Sequence, residues 1–226
     1  MFADVTSANV VGYAESGLRQ GKRGVGVQFL PMSASGKVDL TEVIPVGYKG
    51  ATEEEVKVQV LDKNGMGGTT YSWIDTGDDK FWIDDEPIGK GQMTFDPGDG
   101  IWVQAPNTDF KLQSAGQVLT AVGGVAVTLR QGKKLVNNMT PVDVDLTEIE
   151  VTGYKGTSEE EVKVQVLDKN GMGGTTYSWI DTGDEKFWID DEPIDPGDLV
   201  IQPGESMWVQ APNTDYQMII PEVKVK

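Results

Sequence analysis

The chain has 226 residues, 36 of them acidic and 19 basic, for a formal net charge of −17. Such a charge repels phosphate-rich partners, which argues against nucleic acid and anionic membrane surfaces. There is no Cys and no His. That removes disulfides, thiol and imidazole catalysis and zinc sites built on those residues. No apolar run reaches the roughly 18–20 residues that a membrane span requires.

The start, Met1-Phe2-Ala3-Asp4, has no basic or apolar leader pattern. Either the chain is never exported, or Met1 stands in place of a removed signal peptide. Leu18-Arg19-Gln20-Gly21-Lys22-Arg23 reads as a charged hairpin turn, and one helical turn is predicted over Leu40-Thr41-Glu42-Val43. Thr52-Glu53-Glu54-Glu55 has the composition of a second helix cap. Val56, Val58 and Val60 alternate with Lys57 and Gln59, which predicts a strand with one apolar face. A flexible turn over residues 63–68 leads into a strand at 69–75, with Tyr71 and Trp73 on one face. After the tight turn Thr76-Gly77-Asp78-Asp79 come strands at 80–83 and 101–104, and residues 110–113 close the unit.

The unit then begins again. Residues 53–88 recur at 159–194 with one difference, Asp79 against Glu185, and residues 102–109 recur unchanged at 208–215. The opening matches more loosely: Leu129-Arg130-Gln131-Gly132-Lys133-Lys134 pairs with the hexad at Leu18. The fold predicted is all-β: two tandem β-sandwich or open-barrel modules from an internal repeat of about 106 residues, at 1–114 and 115–226. No Pro/Gly/Ser linker is evident at the junction. The last strand of the first module is therefore expected to run into the second, as a stiff pair.

Several residue sets suggest chemistry. Asp75, Asp78, Asp79, Asp84 and Asp85 cluster, as do Asp181, Asp184, Glu185, Asp190 and Asp191. Oxygen-rich clusters suit Ca²⁺, the one cofactor suggested, against the plainer reading of solvated turns. Asp62-Lys63-Asn64-Gly65 opens like a calcium loop but fails the EF-hand template, which would place Met66 and Trp73 at ligand positions. Trp73, Trp82, Trp102, Trp179, Trp188 and Trp208 are candidate sugar-stacking platforms, against the plainer reading of covers for sheet edges and for the junction. In both Phe81-Trp82-Ile83 and Ile101-Trp102-Val103 the Trp points opposite to its neighbours, so one side must face away from the core.

All three arginines, Arg19, Arg23 and Arg130, fall in the two hexads with Lys22, Lys133 and Lys134. Together with Val10, Val11 and Tyr13 they are the candidate subunit contacts, basic face to acidic face. Paired carboxylates of the glycosidase kind are too common by chance among 36 acids to carry a claim, and the chain is expected not to be an enzyme. Asn138-Met139-Thr140 matches a glycosylation sequon.

The segment Asp4-Val5-Thr6-Ser7-Ala8-Asn9-Val10-Val11-Gly12-Tyr13 resembles the mature start of a family of exported β-rich repeat proteins numerous in verrucomicrobial bacteria. Tyr71-Ser72-Trp73, Phe81-Trp82-Ile83-Asp84-Asp85 and Pro97-Gly98-Asp99-Gly100-Ile101-Trp102 are similar to that family's later pattern. In the second copy Ser206 stands where the pattern has Gly. The resemblance implies export, with the signal peptide already removed, and a β-rich repeat fold; it implies no activity and no site residues.

The function expected is that of an extracellular or cell-surface structural protein. It would self-assemble into a filament or surface layer by head-to-tail contacts and by strands donated from residues 3–13 or 218–226. The alternative is a polysaccharide-binding module, calcium-dependent if the acidic loops take metal. The partners expected are other copies of the chain, or a polysaccharide.

Overall fold

The computed structural model describes residues 11–33, 35–47, 54–61, 67–118, 123–153, 160–167 and 174–222, without the side chains of residues 11, 54, 55, 160 and 161. The all-β expectation holds. The first module contains β1 (Val11–Gly17), β2 (Gly21–Val25), β3 (Val38–Asp39), β4 (Ile44–Val46), β5 (Glu54–Leu61), β6 (Gly68–Asp75), β7 (Lys80–Ile83), β8 (Thr94–Phe95), β9 (Ile101–Ala105) and β10 (Lys111–Gln117). The second contains β11 (Val125–Thr128), β12 (Gly132–Asn137), β13 (Val144–Asp145), β14 (Glu150–Thr152), β15 (Glu160–Val166), β16 (Thr176–Asp181), β17 (Lys186–Ile189), β18 (Val200–Ile201), β19 (Ser206–Ala211) and β20 (Gln217–Ile220).

One sheet order occurs twice. A five-stranded antiparallel sheet, β2-β9-β5-β6-β7 or β12-β19-β15-β16-β17, accompanies a three-stranded sheet, β1-β10-β4 or β11-β20-β14, and a two-stranded ribbon, β3-β8 or β13-β18. Alternation along the strands builds the sandwich core: Val56 and Val58, with Ile101 and Val103, turn inward and are essentially inaccessible. Trp82 also turns inward, 2% exposed, while Phe81 and Ile83 lie half-buried on the other face. Its indole packs edge-on against Trp73 with ring centroids 5.2 Å apart, and its Nε1–H donates to the Val43 carbonyl at 3.0 Å. Trp188 repeats both contacts, with Trp179 and the Ile149 carbonyl. A buried aromatic of this size contributes on the order of 3 kcal/mol, and its N–H leaves no polar group orphaned.

The short turn predicted at Leu40 is a 3-10 turn over Leu40–Glu42, capped by the Asp39 carboxylate, which accepts from Thr41 N at 3.1 Å and from Gly91 N at 2.9 Å. Asp145 caps Leu146–Glu148 in the same way. The second predicted cap is not a helix start: Glu54 opens β5. There a valine every second residue favours the pleated form over the helix.

The described parts of the terminal strands pair within the chain. β1 pairs along its whole length with β10 of its own module, from Val11 opposite Gln117 to Gly17 opposite Lys111, and β20 lies between β11 and β14. The boundary expected after residue 114 falls inside β10, which ends at Gln117, while β11 begins at Val125. Gly123 and Gly124, with φ of 81° and 90°, turn the chain into β11, a backbone region that glycine enters without steric cost.

The modules meet across a seam with an approximate twofold axis. Gly26 N donates to the Gly204 carbonyl at 2.8 Å, and the equivalent Asn137 N donates to the Gly98 carbonyl at 2.9 Å. Val25 bridges Glu205, and the equivalent Val136 bridges Asp99. The edges of β2 and β12 are thus covered by the opposite module at their seam ends. At the far edges, Ile88 N and Ile194 N cap the Trp82 and Trp188 carbonyls at 2.9 and 3.1 Å. The buried residues of both modules form one continuous cluster.

Candidate functional site

The outer face of each five-stranded sheet carries rows rich in polar residues, fixed by register, with Phe81 and Ile83 or Phe187 and Ile189 on its last strand. In the first module Lys22, Gln104, Lys57 and Ser72 stand side by side across β2, β9, β5 and β6; the next row is Gly24, Trp102, Gln59 and Thr70. In the second module the rows are Lys133, Gln210, Lys163 and Ser178, then Leu135, Trp208, Gln165 and Thr176. The named rows carry two lysines per module, Lys22 and Lys57 or Lys133 and Lys163, in a chain of net charge −17.

At the seam the two faces join. Trp102 and Trp208, both half-buried, lie with ring centroids 6.1 Å apart at an interplanar angle of 39°. Beside Trp208, a shallow depression of about 60 Å³ is lined by Lys133, Lys163, Gln165, Thr176 and Gln210. It is too small to enclose a ligand, so anything held here lies along the face. The chemistry on offer is apolar ring surface, amide and hydroxyl hydrogen bonding, and positive charge.

The six tryptophans therefore divide. Trp73, Trp82, Trp179 and Trp188 are core residues no more than 4% exposed, which corrects their reading as stacking platforms. Trp102 and Trp208 look outward at the junction. The row partners Lys57, Gln59, Gln104 and Thr70 were not singled out from sequence. Their outward orientation is legible in the Val-Lys-Val-Gln-Val alternation, but their adjacency to Trp102 depends on strand order.

The acidic loops do not assemble a metal site. Among the described residues, no group of three or more carboxylates converges in a way that could hold an ion. Asp75 accepts from Gly77 N at 2.9 Å and pairs with Lys80 at 3.0 Å, which makes it a turn former; Asp181 does the same with Gly183 and Lys186. Asp78, Asp79, Asp84 and Asp85 are exposed, as are Asp184, Glu185, Asp190 and Asp191. The incipient calcium loop at residues 62–65 lies outside the described residues. A larger groove of about 490 Å³ in the second module bears Asp143, Glu148, Glu150 and Glu222, a charge opposite to that of the lysine rows.

The basic hexads are not the hairpin turns expected: each carries the chain from the three-stranded to the five-stranded sheet of its module, and its cations bond backbone. Arg19 donates to the Lys22 carbonyl at 2.6 Å, Arg23 to Gly17 at 3.1 Å, Arg130 to Lys133 at 2.7 Å and Lys134 to Thr128 at 2.7 Å. Lys134 also pairs with Asp99 across the seam at 2.7 Å. Burial there raises the Asp99 carboxyl, and Lys134 only partly offsets that rise. Of the other candidate contacts, Val10 lies outside the described residues, Val11 is paired in β1, and Tyr13 is 58% exposed with its hydroxyl on Glu15. The sequon is closed: Asn138 is 1% exposed, and its Nδ2 donates to the carbonyls of Val142 and Ile201, each at 2.9 Å.

Comparisons with protein-family models, with curated proteins and with solved structures gave no match.

Proposed function

We propose that this chain is a non-catalytic protein of the cell exterior that binds an anionic polysaccharide along the face shared by its two modules. The observation that carries this reading is the Trp102–Trp208 pair, set across the seam within rows of Lys, Gln, Ser and Thr. Indole faces pack on the apolar faces of sugar rings, amides and hydroxyls match sugar hydroxyls, and lysines match carboxylate or sulfate groups. The resemblance of the opening segment supports placement outside the cytoplasm.

Affinity electrophoresis or calorimetry with polygalacturonate, a sulfated polysaccharide and a neutral glucan tests it, each with and without chelator. The anionic chains are expected to bind and the glucan not, with binding weakened at high salt. Trp102→Ala combined with Trp208→Ala should weaken binding about tenfold, or roughly 1.4 kcal/mol. Failure of every anionic polysaccharide to bind at low salt would sink the proposal.

A second reading is head-to-tail self-assembly, favoured by the placement of lysine rows on the sheet face and of carboxylates on the loop tips around Asp78 and Asp84. Its mark is a salt-sensitive rise in scattering mass for the protein alone. A strand-donated form of it would have to use residues beyond Val11–Gly17 and Gln217–Ile220, which pair within their own module.

A further inference from the structure

We infer that the seam is a heterotypic lock, in which each module's surface fits the opposite module and rejects another of its own kind. The pairing of β2 with β9 and of β12 with β19 makes Gly24 equivalent to Leu135, since each stands opposite the seam tryptophan of its own module. By the same register Gly26 is equivalent to Asn137, and Gly100 to Ser206. At all three places the first module has glycine and the second a larger side chain.

The equivalent positions face one another. A Cβ placed at Gly24 would sit 3.2 Å from Leu135 Cδ1; at Gly26 it would sit 2.5 Å from Asn137 Cβ. At Gly100 it would lie 2.7 Å from Leu135 Cγ and 2.9 Å from Ser206 Oγ. Leu135 is 2% exposed and Asn137 fully buried, so the larger residues fill the room that the glycines leave. The backbone bond from Gly100 N to the Leu135 carbonyl, 2.8 Å, holds this close approach.

An approximate twofold brings each position against its own equivalent. Two second modules would set Leu135 against Leu135 and Asn137 against Asn137, where only one side chain fits. Two first modules would leave the volume of a leucine empty on the axis. Size mismatch of this kind selects a partner by excluding the alternatives. The partner that this surface accepts is therefore the unlike module, from the same chain or, by module exchange, from a second copy.

Exchanging knob and hole in the full-length chain tests this. Gly24→Leu and Leu135→Gly are each expected to lower the thermal midpoint. The double variant should recover more than half of the summed loss, and adding Gly100→Ser with Ser206→Gly should recover more. A double variant as unstable as the sum of the singles would overturn the proposal, as would a Gly24→Leu chain that melts like the parent. If Gly24→Leu does not fold, Gly24→Ala with Leu135→Ala reads the same coupling, again with recovery expected and additivity fatal.

Discussion

The outer strands of the two modules and the strands at the seam obey opposite rules. β5 to β7 and β15 to β17 carry nearly the same residues twice and lie in the same surroundings twice, down to an indole N–H on a carbonyl of the turn below. β2 and β12 start from a shared Leu-Arg-Gln-Gly-Lys pattern and part where they touch, at Gly24 against Leu135 and Gly26 against Asn137. Copies that never meet can stay the same. Copies that meet across a twofold gain close packing by becoming unlike, because identical large side chains would collide on the axis and identical small ones would leave a void.

The comparison is broken most directly at the outer core. Trp82→Ala and Trp188→Ala should each cost about 3–5 kcal/mol by denaturant unfolding, and the two losses should agree to within about 1 kcal/mol. A larger gap would mean that the outer halves are not equivalent after all. At the seam, equivalent substitutions should instead differ in sign. Gly100→Ala forces a Cβ to 2.7 Å from Leu135 and should destabilise by about 1–3 kcal/mol. Ser206→Ala removes a buried hydroxyl oxygen without a hydrogen-bond partner and should be neutral or stabilising by up to about 1 kcal/mol.

The caps under the outer half come next. Asp39→Ala and Asp145→Ala should each cost about 1–2 kcal/mol, measured as midpoint shifts. Burial pushes the Asp145 carboxyl up, but bonds from Thr147 and Gly197 outweigh it and hold the group below its ordinary value of 3.8. Its contribution is therefore complete above that value and fades as the pH falls through the depressed one, a slope that Asp145→Asn should flatten. The smallest effect is expected at Glu15 on exposed β1. Lys111, Tyr13 and Gln113 hold its carboxyl at about 2, against an ordinary 4.5. Glu15→Gln should lower the thermal midpoint slightly above pH 4.5, and the difference from the parent should vanish as the pH approaches about 2.

Strand positions were legible wherever valine alternates with polar residues, as from Val56 to Val60, because a period of two has only one regular solution. Which side of a strand faces inward was not legible for Trp82 or Trp102. Both alternate with apolar neighbours, and the choice depends on strands distant in sequence: Trp73 and Val43 draw Trp82 inward, while Ile101 and Val103 claim the core and turn Trp102 out. The acidic clusters misled as metal ligands because Asp75 and Asp181 are spent on turn backbone and a neighbouring lysine. The seam escaped notice for a different reason. Gly24, Gly26 and Gly100 look unremarkable in sequence, and their meaning appears only when each lies against its own counterpart.

The tryptophans also give this fold its own spectroscopy. All six occur as close pairs, two deep within the modules at 5.2 Å and one astride the seam at 6.1 Å. At such separations the indole transitions couple. Parting the modules while each stays folded would decouple Trp102 from Trp208 alone, and unfolding one module would decouple its inner pair as well. The circular dichroism and emission of the intact chain thus carry separate signatures for opening and for melting, with no label attached.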